Sequence, residues 1–282
     1  MNRILCAGSF LAMVSAASAQ SFNVDVGLPG SGPSQSYAAA GLPGKWNVIS
    51  AAHVTPFMTG PHPLAEHLFD LAGDPTNVVV HQFGGMDLNQ KDDPGTSDDD
   101  AALMDDYRAT HSQSLETCLY VNGLAPGRYE VTTYAWMPVD NRMVSKVRFD
   151  FSSSIPLVGD GAWPGGHVEG VTFTRHIVTV SAGGSMTFIG MHIGVPSGGD
   201  TITGAPLNGF QIRELPDDAP ADMDCDGSVD GRDIDDFVSA LLDEEAYRST
   251  NPTCNLYHGD MNHNGVVGLD DVAAFVAAVL AG

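Results

Sequence analysis

From residue 20 to 215 the apolar positions come in short alternating runs. Phe22, Val24 and Val26 fall on one face of an extended segment and Asn23 and Asp25 on the other, the period of a half-buried strand. Residues 128–136 repeat the pattern, with Tyr129, Val131, Thr133 and Ala135 sharing one face. Asn122, Gly123, Pro126 and Gly127 place a turn just before that run. Further strands are expected at 78–83, 119–121, 144–151, 171–180, 186–193 and 209–215, and turn-rich sequence fills 27–45. Many short strands separated by Gly and Pro predict a mainly β fold, a β-sandwich or jelly roll over residues 20–215. One segment departs from it. Ser97 with Asp100 three residues on reads as a capping box, and predicts a short surface helix over 97–107 with acids at its positive end. The alternative for Asp98, Asp99, Asp100, Asp105 and Asp106 is a metal site, but their spacing fits no compact loop.

Past a short polar connector at 216–221 the period changes. Ile234, Phe237, Val238 and Leu241 stand at i, i+3, i+4 and i+7, one face of a helix, and Val272, Phe275, Val276 and Val279 repeat the stripe 38 residues later. Each stripe follows a twelve-residue loop rich in oxygen-bearing side chains. The first loop offers Asp222, Asp224, Asp226, Asp230 and Asp233 with the carbonyl of Ser228; the second offers Asp260, Asn262, Asn264 and Asp271 with the carbonyl of Val266. A hard cation such as Ca²⁺ takes about six to eight oxygens, and Gly227 and Gly265 at loop position 6 permit the sharp turn that brings them together. Residues 222–282 are therefore expected to be a small helical module with two Ca²⁺ sites. Val229 and Val267, at position 8, are expected to pair between them. The first site has more carboxylates, and Gly268 at position 9 of the second leaves a place for water. Site one is expected to fill first.

Charge and cysteines add a compartment. The chain of 282 residues carries a net charge of −23, which argues against nucleic acid and anionic membrane surfaces as partners. Across 216–282, fifteen Asp and Glu face two Arg, so bound cations would relieve repulsion within the module. Residues 1–19 read as a secretory signal peptide: polar Asn2 and Arg3, an apolar run from Ile4 to Val14, then small residues at Ala17 and Ala19. No later run is long and apolar enough to span a bilayer. The expected product is secreted or cell-surface associated. Cys6 leaves with the signal, Cys225 and Cys254 are expected to form a disulfide, and Cys118 to stay a buried thiol.

Catalytic signals are sparse. The sequence has no GxSxG, no HExxH and no Gly-rich phosphate loop. His53, His62, His67, His81, His111, His167, His176 and His192 are scattered through the β part. Trp136, Trp163 and Tyr134 are the candidates for stacking on a sugar, although tryptophans in such a fold also serve as core. Trp163, between Gly161 and Gly166, is the one expected at the surface.

The C-terminal pattern resembles a bacterial dockerin: two loop-helix repeats with Asp or Asn at positions 1, 3 and 5 and Asp, rather than Glu, at position 12. The resemblance implies an extracellular Ca²⁺-dependent docking module with a cohesin-like partner, in proteins often devoted to polysaccharide degradation. Positions 10 and 11, commonly small hydroxyl residues in dockerins, are Gly231 and Arg232, then Leu269 and Asp270. More weakly, Gly123 to Val131, Tyr134 to Trp136 and Asn208 to Ile212 look like galactose-binding-like jelly rolls, which implies a carbohydrate or another surface ligand. The reading is a secreted calcium-binding protein that docks to a partner and binds a glycan. The alternatives are a glycoside hydrolase, which needs two carboxylates about 5–10 Å apart, or a structural envelope or matrix protein.

Overall fold

The structure, a computed structural model, describes residues 20–49, 65–84, 88–109, 116–137, 145–149, 157–158, 162–180, 185–192, 205–215, 220–251, 254–262 and 264–281. The proposed signal, Cys6, His53, His62, His111 and residues 216–219 of the connector lie outside them.

The chain is mainly β, as the alternation predicts. In order it runs β1 (Phe22–Val26), β2 (Trp46–Ile49), β3 (Ala65–Phe69), β4 (Pro75–Gly84), β5 (Leu88–Gln90), α1 (Asp98–Met104) and β6 (Asp106–Ala109). Then come β7 (Glu116–Asn122), β8 (Gly127–Tyr134), β9 (Ser145–Phe149), β10 (Leu157–Val158), β11 (Phe173–Val180), β12 (Ser185–His192), β13 (Pro206–Leu207) and β14 (Gly209–Leu215). The helical part holds α2 (Asp233–Leu242), α3 (Glu244–Thr250), a 3₁₀ turn at Leu256–Gly259 and α4 (Val272–Ala281). Strands pair into a five-stranded sheet, β11-β8-β14-β1-β2, a six-stranded sheet, β10-β9-β12-β7-β4-β3, and a small sheet β13-β6-β5. The β1–β2 pair is parallel; the other pairs are antiparallel.

The main core lies between the two large sheets. Phe22, Val24, Tyr129, Val131, Phe210 and Ile212 from one meet Val78, Val80, Leu119, Val121 and Val147 from the other. Each such side chain contributes on the order of 1.5–3 kcal/mol of transfer free energy. Cys118 is buried and outside the disulfide, as expected.

The outer face of the five-stranded sheet departs from the alternation rule. Alternation predicts that it is wet, yet Asn23, Asp25, Thr132, Tyr134 and Gln211 are all buried. The turn-rich segment 27–45 covers it. Gln211 Nε2 donates to Asn23 Oδ1 at 2.8 Å and to Leu42 O at 3.0 Å, and Ala40 N donates to Tyr134 Oη at 2.8 Å. Buried Asn23, Tyr134 and Gln211 are tolerated here because the sheet and the covering loop supply partners, whereas the Asp25 carboxylate has none.

The capping-box expectation at 97–107 is corrected in part. The helix is there, but the Ser97 side chain makes no cap hydrogen bond. Its acids reach across instead: Asp99 accepts from Ser34 N at 2.6 Å and Ser34 Oγ at 2.7 Å, and Asp100 accepts from the Tyr37 hydroxyl. Asp105 and Asp106 leave the helix, Asp106 opening β6.

In the helical part Phe237 and Phe275 stack with ring centroids 3.8 Å apart and planes 6° from parallel. They form a small core with Met223, Tyr247, Leu256 and Tyr257, which Leu215 from β14 joins and partly buried Ile177 from β11 flanks. Val229 and Val267 both pack against this core. The stripes are not fully used, since Ile234, Val238 and Val276 remain 43–46 % exposed. Cys225 and Cys254 are disulfide-bonded with Cα atoms 5.5 Å apart. Helix α3 went unpredicted, although Asp243 caps it by accepting from Ala246 N at 3.0 Å.

Candidate metal centre

The two loops have the same internal wiring. Asp233 Oδ1 accepts from Met223 N at 2.5 Å and its Oδ2 from Asp230 N at 2.8 Å; Asp271 Oδ1 accepts from Asn262 N at 3.0 Å and its Oδ2 from Gly268 N at 2.8 Å. At position 1, Asp222 Oδ2 accepts from Gly227 N at 3.0 Å and Asp260 Oδ2 from Gly265 N at 2.9 Å. Both glycines hold positive φ, +87° and +90°, where a side chain would be strained. Side-chain oxygens at positions 3 and 5 accept from the amides two residues on: Asp224 from Asp226, Asp226 from Ser228, Asn262 from Asn264 and Asn264 from Val266. Position 12 thus gathers each loop from both ends, and the carboxylates at positions 1 and 12 are oriented by main chain.

A ligand set emerges in the first loop. Carboxylate oxygens of Asp222, Asp224 and Asp233 lie within 4.8 Å of one another. Asp222 is buried, and its Oδ1 has no hydrogen-bond partner. Desolvation, then the carboxylates of Asp226, Asp233 and Asp222, push the Asp224 carboxyl up. Buried acids left unneutralised are costly, so a hard cation fits this donor set. Asp226 and Asp230 stand at the rim, where Arg232 Nη1 reaches Asp226 Oδ2 at 2.9 Å. In the second loop Asp260 and Asp271 are buried, and the amide nitrogens of Asn262 and Asn264 both donate to Asp270 Oδ2, at 2.7 and 3.0 Å.

A residue missed from sequence enters here. Arg128 Nη2, from β8, lies 3.4 Å from Asp260 Oδ2. The partner is 132 residues away, so no local pattern announces it. Arg248 ties the same two regions, with Nη2 2.6 Å from Glu130 Oε2. Cys225, Cys254 and His258 also cluster, but both sulfurs are held in the disulfide and offer no thiolate.

The three candidate ligand-stacking residues fall in one aromatic cluster with Trp46, Leu103, Met104 and Phe173. Tyr134 and Trp136 are fully buried, which corrects their assignment: neither ring presents a face to a ligand. They line the outer-face core because loop 27–45 and α1 close over them. Trp163 is half-buried and meets Trp136 edge to face at 5.2 Å. His167 joins the cluster, with Nε2 2.6 Å from Tyr37 Oη and its ring 89° from that of Trp163. Burial lowers the His167 pKa to about 4, against the opposing pull of Asp100.

Fold and site together define a β-sandwich protein with a disulfide-bonded helical part carrying an acidic, metal-type cluster. No protein-family model and no curated protein matches the sequence. Several solved structures do match. A calcium-binding mutant of Bacteroides uniformis beta-glucuronidase 2 aligns over 70% of this chain and 18% of its own, with 12% identity and a TM-score of 0.40. A family 35 carbohydrate binding module from Clostridium thermocellum aligns over 47% of this chain and 90% of its own, with 10% identity and a TM-score of 0.28. The carbohydrate binding module CBM6cm-2 of Cellvibrio mixtus lichenase 5A, solved with cellotriose, aligns over 48% and 90%, with 18% identity and a TM-score of 0.26. This chain therefore spans less than a fifth of the beta-glucuronidase chain. Among the described residues no helix is long and apolar enough to cross a membrane.

Proposed function

We propose that this chain is an exported calcium-binding protein, in which a dockerin-like module at 222–282 docks to an extracellular protein partner and the β-sandwich at 20–215 binds carbohydrate. The observation that carries the calcium reading is the first loop. Buried Asp222 and Asp233, with Asp224, point carboxylate oxygens at one locus, and one oxygen of Asp222 has no partner. Asp222, Asp224, Asp226, Asp233 and the Ser228 carbonyl would hold one ion, with Asp230 acting directly or through water. Asp260, Asn262, Asn264, Asp271 and the Val266 carbonyl would hold the second. The ions would neutralise the loops and fix the starts of α2 and α4.

Docking is supported by an apolar groove of about 200 Å³ between α2 and α4, lined by Ile234, Val238, Val276 and Leu280 among others. Leu280 and Leu242 are 82 % exposed, a cost in water that a partner would remove. A cohesin-like partner would cover this groove, and metal-fixed helices would keep its shape. For the sandwich, Trp163 is the residue that supports a sugar-stacking reading, because it alone of the aromatic candidates keeps part of its ring in solvent. Export rests on the signal-like residues 1–19.

The test is calcium counting by equilibrium dialysis on the full chain. Asp222→Asn combined with Asp260→Asn should lower the bound calcium by two per chain relative to wild type. An unchanged count would overturn the calcium reading. Retention on insoluble glycans should fall at least tenfold in Trp163→Ala; equal retention removes Trp163 from the site.

A further inference from the structure

A second acidic locus lies in the sandwich, far in sequence from the calcium loops. Asp25, on β1, is fully buried, and neither of its carboxylate oxygens has a hydrogen-bond partner. Asp106, at the start of β6, is buried beside it. The two are brought together around Gly27. A methyl group placed on Gly27 would stand 2.6 Å from Asp25 Oδ2, 2.9 Å from Ser31 Oγ and 3.0 Å from Asp106 Oδ2. Two oxygens from β1 and the loop after it and one from β6 thus converge on the side of Gly27 that carries no side chain, the hard-oxygen donor type that Ca²⁺ takes.

The surrounding contacts orient these oxygens without satisfying Asp25. Asp106 Oδ1 accepts from Gln90 Nε2 at 2.8 Å, and its Oδ2 accepts from Leu28 N at 3.3 Å and Ser31 Oγ at 3.2 Å. Burial, then the charge of Asp106, pushes the Asp25 carboxyl well above the ordinary carboxylate range. Protonating Asp25 would remove the repulsion and let one oxygen donate to Asp106, but its other oxygen would still lack a partner. A cation would answer both, since it neutralises the pair and coordinates the free oxygens.

We propose that Asp25 and Asp106, with Ser31 Oγ, form a third cation site, of the hard-oxygen type that takes Ca²⁺, which pins β1 and loop 27–32 to β6. It is independent of the C-terminal loops.

Equilibrium dialysis with Ca²⁺ on the full-length Asp222→Asn/Asp260→Asn chain tests it, because the loss from wild type to this variant reports the C-terminal loops and the remainder reports the sandwich. One calcium per chain should remain, and adding Asp25→Asn, or Asp106→Asn instead, should remove it. No remaining calcium, or calcium that survives both substitutions, overturns the site. A second measurement needs no substitution in the sandwich: Ca²⁺ added to the Asp222→Asn/Asp260→Asn chain should slow amide exchange across 22–28 at least tenfold. Unchanged exchange there also overturns it.

Discussion

The sandwich and the helical module solve the same problem with different means. The sandwich buries two layers of apolar side chains between large sheets, then covers the outer face of one sheet with loop 27–45 and α1, so that β8 is buried on both sides from Tyr129 to Tyr134. The module has a much smaller core around Phe237 and Phe275, and leaves Ile234, Val238 and Val276 of its helical stripes in solvent. What it lacks in burial it replaces with a covalent tie and with loops whose carboxylates call for a cation. Small units commonly need such staples, because their surface is large for their volume. Each region is vulnerable accordingly: the sandwich to changes in packing and buried polar groups, the module to reduction and loss of charge balance.

The largest expected effect comes from the disulfide. Cys225 and Cys254 are 29 residues apart, and cross-linking a loop of that size is worth roughly 3–4 kcal/mol in the chain-entropy model. Cys225→Ser with Cys254→Ser should therefore cut amide-exchange protection in α2 and α4 by about 10²–10³-fold while β7, β8 and β12 keep theirs. Equal loss in the sandwich strands would show that the two regions open as one unit, joined through Leu215, Arg248 and Glu130, and the contrast would fail.

Next in size is a pH effect confined to the sandwich. His167 has a folded pKa of about 4, lowered by burial, and its side chain is 7% exposed. Unfolded, it titrates near 6.5. Between these values the unfolded chain binds the extra proton, so stability rises with pH from about 4 to 6.5 and is flat above. The shift corresponds to about 3 kcal/mol. All three tryptophans, Trp46, Trp136 and Trp163, belong to the aromatic cluster, so tryptophan fluorescence during urea unfolding reads the sandwich alone. His176, whose pKa burial also lowers to about 4, acts in the same direction, whereas Asp25, raised, acts in the opposite one. The informative quantity is therefore the difference between wild type and His167→Gln, which should lose that share of the slope. Identical slopes would remove His167 from the cause.

The same contrast governs what could be read from the sequence. Local patterns were legible wherever the partner is near in the chain. The repeat of 38 residues and the Gly at loop position 6 announced both loops, and the alternation at 22–26 and 128–136 announced β1 and β8. Non-local coverage was not legible. No local pattern decides between stacking and core for Tyr134 and Trp136 until loop 27–45 folds over them, and Asp99 and Asp100 look like acids at a helix start until Ser34 and Tyr37 arrive. The short strands β5, β6, β10 and β13, of two to four residues, are too brief to show a period. Asp25 reads as the wet side of a strand, and only the fold sets it against Asp106, 81 positions on.

The smallest expected effect lies where the two regions touch. Arg128 belongs to the sandwich, yet its guanidinium is 3.4 Å from Asp260, the first residue of loop two, whose side chain is fully buried. That cation partly neutralises a carboxylate which the loop would otherwise offer to a metal, and it repels an incoming divalent ion. Loop one has no such neighbour from the sandwich among the described contacts; its arginine, Arg232, is exposed at the rim. Arg128→Gln should therefore strengthen calcium binding at site two by about fivefold to tenfold, roughly 1 kcal/mol at an interface still 22 % open to solvent on the arginine side. Site one should be unchanged. Calorimetry on the full chain would narrow the gap between the two affinities in the variant. If the gap widens instead, Arg128 is holding the loop in its binding shape, and the sandwich acts as a scaffold for site two rather than as a competitor for its first ligand.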